Sequence, residues 1–226
     1  MPAPFKIVFI LYPNLTQLDF TGPYEVLSRL PDSEVAVASR EGGSLSSETG
    51  LTFAGLTRLA DIEHCDMICI PGGPGQTEAM QDADFMAEVR RLGEGASYVT
   101  SVCTGSLILA AAGLLTGKRA ACHWAYRDLL AIFGVIPDPA RVVRDGNAIT
   151  GGGVTAGIDF ALTVAAELRG EEVAQTLQLM LEYAPAPPFA CGRPESAPPG
   201  LVERVKQRFA AFMQSRQQAM QEMANA

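Results

Sequence analysis

Histidine is scarce in this chain, with only His64 and His123 among 226 residues. Proton-transfer chemistry must therefore fall to one of those two or to a carboxyl group. Positive charge is also short: 17 Lys and Arg against 25 Asp and Glu leave a net charge of −8. That balance excludes the broad basic face that nucleic acid requires. The single basic cluster, Arg204, Lys206, Arg208 and Arg216, is interspersed with acidic residues and reads as a solvated helix face. The first apolar run, FKIVFILY, is too short to span a bilayer and lacks a signal peptide's basic start and small-residue cleavage site. A cytoplasmic protein with no membrane partner is expected. The five cysteines (Cys65, Cys69, Cys103, Cys122, Cys191) are odd in number and contain no Cys-x-x-Cys pair. A disulfide framework and a zinc knuckle are both disfavoured. Internal repeats are missing as well.

What is present is a packed globular chain, 48% hydrophobic and 19% charged, long enough to bury a substantial core. KIVFILY (6–12) and MICI (67–70) are continuous apolar runs, the pattern of strands covered on both faces. EVAVASR (34–40) and YVTSV (98–102) are further strands. Between them, PYEVLSRL (23–30) reads as a helix with Thr21 as N-cap and Pro23 in the first turn. EGGSLSSETG (41–50) reads as a solvated loop. Residues 77–94 read as one surface helix, 104–115 as a central helix, and 123–133, 155–169 and 171–183 as three more. RVVRDGNAIT (141–150) reads as a hairpin. Alternating strands and helices imply a layered α/β sandwich around a mainly parallel sheet. The domain spans residues 1–183. Residues 184–226 form a proline-rich tether and a helix from Leu201, docked on the domain or on a dimer partner, since so short a piece cannot bury its own core.

Cys103 stands at the joint between YVTSV and the following helix. A residue there projects from the carboxyl edge of the sheet and faces free helix N–H groups. The helix dipole should lower its pKa, which is the logic of a nucleophile elbow with sulfur in place of oxygen. Gly105 and Ser106 keep the next turn slim, leaving room for a substrate. Asp19, in the loop QLDFTGP after the first strand, is the candidate proton carrier, with a pKa raised by partial burial; a helix cap is its alternative role. PGGPG (71–75) exposes backbone N–H groups at the same rim. With the Thr104 N–H, Gly72 and Gly73 could form a pocket for developing charge, or simply a tight turn. GGGVTA (151–156) matches a dinucleotide fingerprint only formally, because it follows a late hairpin and its downstream glutamates lie in a helix.

SVCTG, QLDFTGP, IPGGPG, His123-Trp124, RDGNAITGGGVTAGIDF and LEYAPAPPF together resemble the ThiJ/PfpI superfamily, and within it the isocyanide-hydrating members, from Phe5 to about Phe212. The resemblance implies a flavodoxin-like three-layer sandwich and the addition of Cys103 to an isocyanide carbon. Asp19 would deliver a proton and then assist water, releasing a formamide without metal or organic cofactor. It also implies that Thr104 orients the pocket, that Gly152 and Val154 line it, and that His123 lies near it. A homodimer with the terminal helix at its interface is a further implication. Thr104 stands where superfamily members described as proteases carry histidine, which disfavours a peptidase triad. The alternatives are a glyoxalase-like hydrolase, a cysteine-based redox sensor, or the sensor domain of a regulator. The last is disfavoured because only one helix follows the tether.

Overall fold

The computed structural model describes residues 3–225. Its first strand, β1 (Phe5–Leu11), is apolar from Ile7 onward and buried along that whole stretch. Such a strand needs cover on both faces and partners on both edges. It pairs in parallel with β2 (Ser33–Ser39) on one side and β5 (Met67–Ile70) on the other. β6 (Tyr98–Val102) adds in parallel to β5, and β10 (Ala148–Gly151) to β6. The hairpin between β9 (Val142–Asp145) and β10 turns at Gly146 and Asn147. Beyond β2, EGGSLSSETG is not a free loop: β3 (Gly43–Ser46) pairs antiparallel with β4 (Thr52–Arg58), which joins β2 in parallel. The sheet order is therefore β3-β4-β2-β1-β5-β6-β10-β9.

Helices cover both faces. α1 (Gln17–Leu27), α5 (Ala156–Arg169) and α6 (Glu171–Met180) pack together on one side. On the other lie α2 (Gln76–Gln81), α3 (Ala83–Gly95) and α4 (Gly105–Ala111). α1 begins well before the expected residue 23 and takes in QLDFTGP, so Asp19 stands in its first turn and Pro23 inside it. Thr16, not Thr21, is the N-cap. Pro23 is accommodated where α1 meets α5: a Cβ on Gly157 would lie 2.9 Å from the proline ring. The expected helix 77–94 is two helices, broken at Asp82, whose carboxylate caps α3 by accepting from the Phe85 N–H at 3.1 Å. Of residues 123–133 only Arg127–Phe133 is helical, as a 3₁₀ segment. It lies between the short strands β7 (Arg119–Ala120) and β8 (Ile136–Pro137), which pair with each other.

The last helix, α7 (Pro199–Ala224), lies against α2 and the 3₁₀ segment. Met220 is fully buried there, with Phe209, Met213 and Met223 packed on the same core. No described helix is long and apolar enough to cross a membrane.

β1 is a topological switch point. The chain leaves it toward β2 and returns on the opposite side as β5, which opens a crevice at the carboxyl ends of the strands. Four segments converge on that crevice: the start of α1, Pro71–Gly73 after β5, Cys103 after β6, and Gly151–Gly153 after β10.

Candidate active site

Cys103 holds φ at +58°, a left-handed backbone that a non-glycine residue adopts only when its surroundings enforce it. Its N–H donates to the carbonyls of Gly151 (3.0 Å) and Gly152 (2.8 Å). Its own carbonyl accepts from the Ser106 hydroxyl at 2.8 Å, and that hydroxyl also reaches the Ala121 carbonyl at 2.6 Å. Gly105 and Ser106 are thus small for the fold and not for a substrate: a Cβ on Gly105 would stand 2.1 Å from the Ile70 carbonyl oxygen. The adjacent Thr104 backbone N–H favours the charged form of the sulfur.

Asp19 is fully buried, with its carboxyl group next to the Cys103 side chain. Its Oδ2 accepts from the Gly72 N–H at 3.1 Å, while Oδ1 has no hydrogen-bond partner among the described residues. Gly72 is pressed between the two groups: a Cβ there would lie 2.5 Å from the Thr104 nitrogen, 2.7 Å from Asp19 Oδ2 and 2.8 Å from Cys103 Cβ. The Gly73 N–H donates to Thr104 Oγ1 at 3.0 Å. The Gly72 and Gly73 amides of the PGGPG turn are therefore engaged inside the protein. They hold Asp19 and Thr104 in place and are not free donors for developing charge.

Electrostatics in this crevice run against the dipole argument. Burial, followed by the charge of Asp19, holds the Cys103 thiol well above the ordinary range. Burial also raises Asp19, to about 7, against the opposing effects of the neighbouring Cys103 thiol and the Gly72 N–H. The helix N-terminus does favour the thiolate through the Thr104 N–H, but a few partial charges do not offset complete removal from water. The resting pair is a protonated thiol beside a carboxyl group poised to titrate near neutrality.

Cys103 of the pair opens onto a cavity of about 230 Å³ lined also by Thr104, Gly73, His123, Tyr126 and Val154, with Thr16, Glu48 and Pro74 at other points. Phe209 and Arg216 of α7 complete it. Gly152, expected in the lining, instead backs Cys103 through its carbonyl and lines a neighbouring cavity of about 210 Å³. His123 keeps a neutral ring: burial drops its pKa to about 4, and Nδ1 accepts from the Ala125 N–H at 3.2 Å. Its ring meets Tyr126 and Phe209 edge-on. Arg216 is not on a solvated face. It donates to the Tyr126 hydroxyl at 2.8 Å and the Pro74 carbonyl at 2.9 Å. Tyr126, Phe209, Arg216 and Glu48 were not legible as site residues. The one available signal was the seven-residue spacing of Phe209 and Arg216, which puts them on one helix face. Among the described residues no group of three or more His, Cys, Asp or Glu could hold a metal ion.

The model of the DJ-1/PfpI family matches residues 5–167. The chain belongs to the DJ-1/PfpI family. Across 211 residues this DJ-1/PfpI chain is 52% identical to the isonitrile hydratase of Pseudomonas putida, covering 93% of this chain and 92% of the relative. A ThiJ/PfpI family protein of Pseudomonas syringae superposes with a TM-score of 0.92 at 38% identity, over 99% of this chain and 91% of that one. Drosophila melanogaster DJ-1beta superposes with a TM-score of 0.72 at 27% identity, over 80% of this chain and all of that one. The flavodoxin-like sandwich expected from the motifs is thus the fold of this DJ-1/PfpI protein. The family match ends inside α5, so α7 and its contribution to the cavity lie outside it.

Proposed function

We propose that this protein hydrates isocyanides, R–NC plus water giving R–NH–CHO, with Cys103 as nucleophile and Asp19 as proton carrier. The observation that carries the reading is the buried thiol–carboxyl pair, of which Cys103 faces a cavity walled in part by Val154, Tyr126 and Phe209; the 52% identity to an isonitrile hydratase supports it. An isocyanide carbon accepts a nucleophile and then needs a proton on that same carbon. Asp19 takes the thiol proton as the S–C bond forms and returns it to the carbon, leaving a thioimidate, R–N=CH–S–Cys103. A carboxyl group near pKa 7 suits both directions of transfer. Asp19 then accepts a proton from water as the oxygen adds to that carbon and passes it to the nitrogen. The C–S bond breaks as the carbonyl forms, the remaining hydroxyl proton goes to the sulfur, and the formamide leaves. Thr104 steadies the sulfur through its N–H and the Gly73 turn through its hydroxyl. His123, neutral, serves as an aromatic wall.

A reducing cytoplasm and a homodimer belong to the same reading. The cysteines are free thiols, and Leu179, Met180 and Phe189 are apolar side chains left on the surface. The test is to incubate the protein with benzyl isocyanide and follow the formyl proton by NMR. Turnover is expected in wild type and none in Cys103→Ala. Wild-type protein that yields no formamide, yet consumes peroxide at Cys103, would replace hydration with redox sensing.

A further inference from the structure

The cavity over Cys103 is small for a whole substrate. At about 230 Å³ it falls below the roughly 300–1,000 Å³ of ordinary small-molecule sites. A second cavity of about 420 Å³ adjoins it, and Pro74, Tyr126, Phe209 and Arg216 line both. Val205, Arg208 and Phe212 complete the outer space, so α7 supplies most of its wall. Taken together the two spaces reach the usual range.

We infer that α7 builds the subsite for the substrate's N-substituent, and that this subsite selects an aromatic ring. The inference rests on the hydration reading above and extends it to the substrate class. An isocyanide is linear at carbon and nitrogen, so a carbon placed at Cys103 Sγ directs its substituent away from the sulfur, toward the mouth where α7 crosses. That mouth is built from rings. Phe209 meets Tyr126 edge-on at 5.6 Å between centroids and His123 at 5.8 Å. The Arg216 guanidinium lies 5.6 Å from the Tyr126 ring centre and 5.9 Å from that of Phe212. A guanidinium already facing two rings offers an edge or face to a third, and edge-to-face packing favours an aryl guest over an aliphatic one of equal size. Phe212 is 58% exposed, a large apolar ring left uncovered beside this space. The family match stops at residue 167. The catalytic pair therefore lies in the shared segment, whereas the α7 wall of the proposed subsite, from Val205 to Arg216, lies beyond it and packs on Tyr126 and Pro74 of the shared segment.

The decisive measurement is a ratio, which does not depend on how much of a preparation is folded. Benzyl, cyclohexylmethyl and methyl isocyanide are compared by kcat/KM. In wild type benzyl should exceed cyclohexylmethyl several-fold and methyl by more. In Phe209→Ala the benzyl-to-methyl ratio should fall roughly tenfold or further, and in Phe212→Ala, at an exposed position that folding tolerates, the benzyl-to-cyclohexylmethyl preference should disappear. Ratios unchanged in both variants would overturn the subsite; equal use of benzyl and cyclohexylmethyl by wild type would overturn its aromatic selectivity. The subsite can also be read without turnover, because Trp124 is the only tryptophan and its ring lies 6.4 Å from that of Phe209. N-benzylformamide should change Trp124 fluorescence saturably in the Cys103→Ala protein, with an affinity at least severalfold weaker when Phe212→Ala is added. If wild type turns over no isocyanide, the hydration reading fails. Binding that weakens with Phe212→Ala would still support an aromatic subsite, and binding indifferent to it would overturn the subsite.

Discussion

Asp19 carries a proton that burial makes hard to give up, and that property sets the pH range in which the site can work. Below about pH 7 the carboxyl group is protonated and cannot take the thiol proton, so kcat/KM should drop about tenfold per pH unit on the acid side. Asp19→Asn keeps the shape and removes the titration. It should lower kcat by about 10²–10⁴-fold and flatten that acid limb, with the circular dichroism spectrum unchanged. A variant retaining wild-type turnover and the same limb would return Asp19 to a structural role. Gly72 is the second sensitive point, because it is the backbone wedge between Asp19 and Cys103. Gly72→Ala puts a methyl group 2.7 Å from the carboxylate and 2.5 Å from the Thr104 nitrogen, spacings that require the pair to part. A loss of at least about a hundredfold in kcat is expected from so small a displacement of reacting groups, measured on protein that still melts cooperatively.

Elements announced themselves in the sequence according to how they are buried. β1, β5 and β6 are apolar runs because both faces are covered, and the β9–β10 hairpin shows through its turn residues. β3 and β4 were invisible because they form an exposed edge with little apolar alternation. The start of α1 was hidden by Gly22-Pro23, which locally argue for a turn; Phe20, Val26 and Leu27, buried against the core, override that preference. Cys103 was legible because a thiol at a strand-to-helix joint is a local pattern, and Asp19 as the acidic residue after the first strand. The direction of the Cys103 pKa was not, since complete burial is a property of the assembled fold. The aromatic wall was not either, since Tyr126 and Arg216 are 90 residues apart. Docking of α7 rests heavily on Met220, because most of a helix's stability in a protein comes from packing its apolar face. Met220→Ala should weaken that docking by about 2–5 kcal/mol. The readout is trypsin cleavage at Lys206 and Arg208 within α7, which should accelerate well before the α/β core is attacked. Cleavage at the wild-type rate would mean that other contacts hold the helix.

For the whole molecule, buried Asp19 and half-buried His123 pull stability in opposite directions with pH. Asp19 titrates near 3.8 when unfolded and near 7 in the fold. Between those values the native protein holds a proton that the unfolded chain has released, so raising the pH favours unfolding. His123 is the reverse, near 6.5 unfolded and about 4 in the fold. Between those values the unfolded chain holds a proton that the native protein refuses, so raising the pH favours folding. From about pH 4 to 6.5 the two slopes, each about 1.4 kcal/mol per pH unit, oppose and largely cancel. Asp19→Asn should therefore unmask His123, and its stability relative to wild type should rise steadily across that window. His123→Asn, which can still accept from the Ala125 N–H, should do the opposite and fall relative to wild type as the pH rises. The double variant should track wild type in pH dependence, whatever its absolute stability. Urea midpoints at pH 4.5, 5.5 and 6.5 give the four curves, and groups common to all four proteins drop out of the differences. Single-variant curves parallel to wild type would show that neither group is desolvated as the fold requires, and the proton-carrying role of Asp19 would lose its physical basis.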